Sequence, residues 1–142
     1  MASASTDIVI AEPDAATRTK IAAVVGEAAA ALDKSVTLHE TTTGTSAFAA
    51  CGEHRPILLI AEVLLEGLSG LSLLRRLEVE SRTKTAVVFV TSLALDHDRY
   101  WALRNGAVAY FAKPFDAERL RHTVWRVLEE GPNTAAEPPA KI

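Results

Sequence analysis

A single cysteine, Cys51, is all the chain holds in 142 residues, so an internal disulfide is excluded and a reducing compartment is compatible. There is no basic excess either: the formal net charge is −3, whereas general nucleic-acid binding needs a positive surface. No apolar run approaches the ~20 residues needed to cross a bilayer. Met1-Ala2-Ser3-Ala4-Ser5-Thr6 lacks the basic start and apolar middle of a secretory signal. No G-x-G-x-x-G follows the first apolar run, which argues against dinucleotide binding. His39, His54, His97 and His122 are scattered without zinc spacing, so no metal site is expected from them. What remains, at 49% hydrophobic and 23% charged, is the composition of a globular domain expected in the cytoplasm.

Against those absences stand four short apolar runs, each ending on a residue able to do chemistry. Ile8 to Ala11 runs into Glu12, and Ile57 to Ala61 into Glu62. Ala86 to Val90 stops at Thr91, and Ala109 to Ala112 at Lys113. As neighbouring parallel strands they would bring two carboxylates, a hydroxyl and an ammonium to one sheet edge, where open α/β sheets place their ligands.

Between the runs lie helical stripes. Ile21, Val24, Val25, Ala28, Ala29 and Leu32 recur at helical spacing behind Asp14, which can cap the helix. Val36 to Thr41 alternates like an edge strand with one wet face. A short helix is predicted over Ser46 to Cys51, and a stripe over Leu71, Leu73, Leu74 and Leu77. Asp98 to Asn105 reads as a helix with Tyr100 and Leu103 inward, ended by Gly106. Asp116 precedes a stripe of Leu120, Val124, Val127 and Leu128. Five strands alternating with five helices imply a doubly wound α/β fold with a parallel sheet. The domain is predicted over residues 7–130. Residues 131–142, rich in proline and alanine, read as a disordered tail or linker.

Taken together, Glu12-Pro13-Asp14, Glu62 to Gly70, Thr91-Ser92, Gly106-Ala107 with Tyr110, and Lys113-Pro114-Phe115 resemble the receiver domain of bacterial two-component response regulators. The resemblance implies a flavodoxin-like sheet of strand order 2-1-3-4-5. It also implies a phosphoacceptor at position 62, an acidic pair at 12 and 13 holding magnesium, and a Lys-Pro bond that is typically cis. Thr91 and Lys113 would contact the phosphoryl group, and Tyr110 would be the aromatic that swings inward when they do.

Two departures fall on the chemistry. The acceptor position holds Glu62, not aspartate, and the second acid of the pair is Pro13. Proline offers magnesium no side-chain ligand. Glutamate carries its carboxylate about 1.5 Å further out, and a misplacement near 1 Å can cost about 10²-fold in rate. The expectation is a pseudo-receiver, not an enzyme, with magnesium binding weak or absent and no phosphorylation on Glu62. It would signal by protein–protein contact. The rivals are a working phosphotransfer regulator and a small-ligand module using the crevice. Plainer readings stand beside these: Glu62 as a strand-end acid paired with Lys113, Thr91 as a strand cap, Tyr110 as a core aromatic, and Pro13 as the start of a helix region. Asp96-His97-Asp98 reads as an acidic helix start, not a metal motif.

Trp101 and Trp125 are both predicted to face outward on the fourth and fifth helices, where they would serve as interface residues for a protein partner or a homodimer. No output domain is expected in so short a tail, although the chain could be one piece of a longer protein.

Overall fold

Strands that are apolar on both sides must be covered on both sides, and alternation with helices supplies that cover. The computed structural model describes residues 6–80 and 84–136. In chain order it forms β1 (Thr6–Ala11), α1 (Ala15–Ala31), β2 (Val36–Thr41), α2 (Gly44–His54), β3 (Leu58–Ala61), α3 (Gly70–Glu80), β4 (Ala86–Thr91), α4 (Asp96–Arg104), β5 (Ala109–Ala112) and α5 (Ala117–Glu130). All pairings are parallel, in the order β2-β1-β3-β4-β5. This is the doubly wound, flavodoxin-like arrangement. β2 lies at the edge, as its alternating pattern predicted.

The two-residue period of the strands divides the core. Ile8, Ile10, Leu58, Ile60, Val88 and Val90 point to the face that α1 and α5 cover. Val9, Ala11, Leu59, Val87, Phe89 and Tyr110 point to the other, beneath α2, α3 and α4. Each large apolar side chain so buried contributes roughly 1.5–3 kcal/mol. The sheet is therefore a rigid floor for whatever stands at its edges.

Helix boundaries follow their caps. Asp14 accepts a 2.9 Å hydrogen bond from Thr17 N, and Asp116 caps α5 through Glu118 N and Arg119 N. α2 is longer than Ser46 to Cys51, because Thr43 caps it from outside by accepting from Ser46 N at 3.0 Å. Its first residue must be glycine: a Cβ on Gly44 would lie 1.7 Å from Leu68 O.

α4 corrects the prediction in its inner face. It starts at Asp96, with Asp96 and Asp98 in the first turn, where the helix dipole favours anions. Its buried residues are Ala102 and Leu103. Trp101 packs partly against the core and is not the outward residue expected, while Tyr100 is only half-buried, with Arg104 over its ring at 5.8 Å. The small Ala102 marks the line along which α4 comes close to the sheet. Residues 101 and 103 flank that line by about 100° on either side, so both pack inward. Trp125 is 37% exposed on α5, with His122 stacked beside it.

Residues 131–136, predicted as the start of the tail, form a turn in which the buried Thr134 donates its hydroxyl to Gly131 O at 2.6 Å. Residues 137–142 lie outside the described residues. Among the described residues no helix is long and apolar enough to cross a membrane.

Candidate functional site

Parallel strands end at a common edge, so the residues that follow β1, β3, β4 and β5 meet there. The register aligns Ala11 with Ala61, Ala61 with Phe89, and Thr91 with Ala112. Glu12, Glu62, Thr91 and Lys113 are thereby brought together at the point where the chain reverses its direction of winding, between β1 and β3. Both carboxylates are buried, Glu12 at 1% and Glu62 at 4% exposure.

One ammonium serves both acids. Lys113 Nζ lies 2.5 Å from Glu12 Oε1 and 3.0 Å from Glu62 Oε1. Glu12 Oε1 has no donor at hydrogen-bonding angles, so its contact with the ammonium is ionic. Its other oxygen accepts from Asp14 N at 3.0 Å. At an effective dielectric of 20, each ammonium–carboxylate attraction is about 6 kcal/mol, against a repulsion of about 3 kcal/mol for carboxylate oxygens about 5.5 Å apart, the widest the shared ammonium allows. The attraction outweighs the repulsion between the acids.

Glu62 is saturated with donors. Oε2 accepts from Val63 N at 2.6 Å, from Leu64 N at 3.1 Å and from the Thr91 hydroxyl. Oε1 accepts from Ser92 N and Ser92 Oγ, each at 3.2 Å, and from Lys113. Burial alone would push its pKa up. The donors, led by Thr91 and followed by Leu64, Lys113 and Ser92, outweigh burial and hold it below the ordinary carboxylate value. For Lys113, burial pulls downward, but its close contacts with Glu12 and Glu62 and their charges leave its pKa raised. Gly70 lets α3 begin against this site, since a Cβ there would lie 2.6 Å from Glu62 O and 2.8 Å from the Phe89 ring.

Behind the crevice, the Tyr110 ring is buried 5.8 Å from that of Phe89, tilted by 60°. Its hydroxyl donates to Leu93 O, while Leu93 N donates to Thr91 Oγ1 at 3.0 Å. Burial, helped by the charges of Asp98 and Glu62, pushes the phenol up to about 12. Lys113-Pro114 is a cis peptide, as the resemblance implied. Pro13 is exposed and precedes the cap residue Asp14, so it stands just outside the helix. Ser92, unassigned by the sequence reading, is the missed member. Its position directly after Thr91 at a strand end was the available signal.

The residues present do not fit a divalent ion held as in receivers. Magnesium needs six oxygens in near-octahedral array. Here Pro13 supplies none, Glu62 is filled by donors, and Lys113 stands between the two acids.

A second cluster lies away from the crevice, and sequence spacing gave no hint of it. Asp7 on β1, His39 on β2 and His54 at the end of α2 come together. The scattered histidines of the sequence are therefore not all scattered in space. His97, by contrast, is exposed and lies 3.8 Å from its neighbour Asp98.

An open parallel sheet that gathers an acid, a hydroxyl and a lysine at its switch point defines a receiver-type signalling domain. The family model of the response regulator receiver domain matches residues 8–125, and the chain belongs to that family, the receiver module of two-component signalling. It is 30% identical over 86 residues to Protein PilH of Pseudomonas aeruginosa, covering 60% of this chain and 71% of that one. It is 28% identical over 101 residues to Response regulator Rre1 of Synechocystis, covering 69% of this chain but 44% of the relative. In fold it is similar to the receiver domain of the Francisella response regulator 1452, with a TM-score of 0.75, 18% identity, and 88% and 98% of the two chains covered.

Proposed function

We propose that this chain is a receiver in which the Glu62 carboxylate stands permanently where others place a phosphoryl group, and which signals by protein–protein contact without phosphorylation at that position. The observation that carries the reading is the set of groups turned on Glu62. Thr91 and Lys113, the two side chains that the resemblance gives to the phosphoryl group, both bond this carboxylate. Tyr110 is buried, the inward setting that the resemblance associates with such contact. The charge is smaller than a phosphoryl group's, about −1 against −1.5 to −2, and is supplied without a metal. Magnesium binding at this edge is accordingly weak or absent.

Acetyl phosphate and Mg²⁺ followed by intact-mass measurement test the reading. No adduct is expected; a stable gain of about 80 Da, one phosphoryl group, mapped to Glu62 overturns it. A pull-down comparing the wild type with the Glu62→Asp, Pro13→Asp double variant adds a second readout. The wild type is expected to hold its partner without phosphodonor. The double variant is expected to do so only once phosphorylated.

For the partner surface, Trp125 is the better-placed anchor, because Trp101 has spent much of its ring on the core. Exposed tryptophan is a favoured interface residue. The α4 and α5 side of the domain therefore supports contact with a protein or with a second copy.

A further inference from the structure

β1 carries a second polar constellation toward its start. Asp7 and Val9 share one face of the strand, and His39, the register partner of Val9, lies diagonally across from Asp7 on that face. α2 crosses the same face and delivers His54, its last residue. His39 Nε2 is 2.8 Å from Asp7 Oδ1. The rings of His39 and His54 are stacked 3.6 Å apart and 13° from parallel. One ligand atom from each of the three residues lies within 4.8 Å of the others.

We propose that Asp7, His39 and His54 form a binding site for a divalent transition-metal ion of the zinc type, whose capture pins the end of α2 to the edge of the sheet. Two imidazoles and one carboxylate are a donor set suited to zinc and its neighbours and too rich in nitrogen for magnesium or calcium. A tetrahedral ion with bonds of about 2.0–2.1 Å holds its ligand atoms about 3.4 Å apart. The ligand atoms, all within 4.8 Å of one another and 2.8 Å apart for Asp7 and His39, lie near that spacing, and the stacked rings turn out of parallel on binding so that each aims its in-plane lone pair at the ion. The three side chains keep 35%, 20% and 30% exposure, so a hydrated ion can reach them. Glu53 Oε2, 3.6 Å from His54 Nε2, or a water completes the coordination.

The full chain, free of any histidine tag and stripped with a chelator, would be titrated with Zn²⁺ by calorimetry and with Co²⁺ by visible absorption. Saturable one-to-one binding is expected. Loss of an outer-shell partner alone weakens metal sites about 10- to 100-fold, so His39→Gln and His54→Gln should each cost at least about 100-fold. His97→Gln should leave binding unchanged. His54 sits at a helix end, so its variant keeps the fold, which circular dichroism checks. In the wild type, paramagnetic shifts from Co²⁺ should centre on residues 7, 39 and 54. Absence of saturable binding, wild-type affinity in both histidine variants, or shifts centred on Glu12 and Glu62 would each overturn the proposal.

Discussion

The two ends of β1 answer the same electrostatic problem differently. Glu12, just beyond its carboxyl end, is buried and matched by Lys113, while Asp7, near its start, is half-exposed and matched by His39. Lys113 fills the space between the two acids with its own ammonium, whereas the side chains around Asp7 are imidazoles, whose neutral rings carry a lone pair. What distinguishes the two clusters is the kind of group that meets each acid, more than the number of acids.

Removing Lys113 breaks the comparison most severely. Lys113→Met would leave two buried carboxylates with no counter-charge, and breaking a buried ion pair costs about 3–5 kcal/mol. Urea unfolding should show that loss; unchanged stability would mean that the ammonium is not what holds the crevice. Thr91→Val comes next, since a hydrogen bond to a charged group is worth about 1.5–3 kcal/mol. The same unfolding experiment reads it, and Tyr110 fluorescence should change as Leu93 loses one of its bonds.

A change of slope follows. Glu62 has its folded pKa lowered below the ordinary 4.5, so its contribution is complete above that value and is lost as pH falls through the folded one. Lys113 has its folded pKa raised above 10.5, so its contribution is complete below that value and fades as pH rises through the folded one. Glu62→Gln should therefore flatten the acid limb of the stability curve and shrink the alkaline decline to the part that Glu12 alone supports. An acid limb as steep as the wild type's would show that Glu62 gains nothing from its donors.

The smallest effect separates the tryptophans. Trp125→Ala should change stability by less than about 0.5 kcal/mol, as surface substitutions do, and Trp101→Ala by about 1 kcal/mol or more, because it fills part of the core. Thermal melts of the two variants check the order. Equal losses would restore the symmetric, outward pair that the sequence suggested.

Much of the fold was legible because it rests on periodicity. Runs such as Leu58 to Ala61 can only be central strands, and the stripe from Leu120 to Leu128 can only be one helix face. The convergence of Glu12, Glu62, Thr91 and Lys113 was readable too, since parallel strands share an end. Harder to read were features set by tertiary distance. The inner face of α4 depends on how closely Ala102 approaches β5, which no spacing rule encodes. The meeting of His39 with His54 depends on α2 running on past Cys51 to a left-handed Arg55, an ending that the apolar stripe does not mark. Ser92 was in view but carried no stripe of its own to mark it.

The peptide of Leu93 is held from both sides, its N–H by Thr91 and its carbonyl by the Tyr110 phenol. A single carboxylate at position 62 thereby fixes the loop leading into α4 through two successive hydroxyls. On the function proposed above, a partner docking on that helix senses the crevice at second hand, as a latch whose catch is already down.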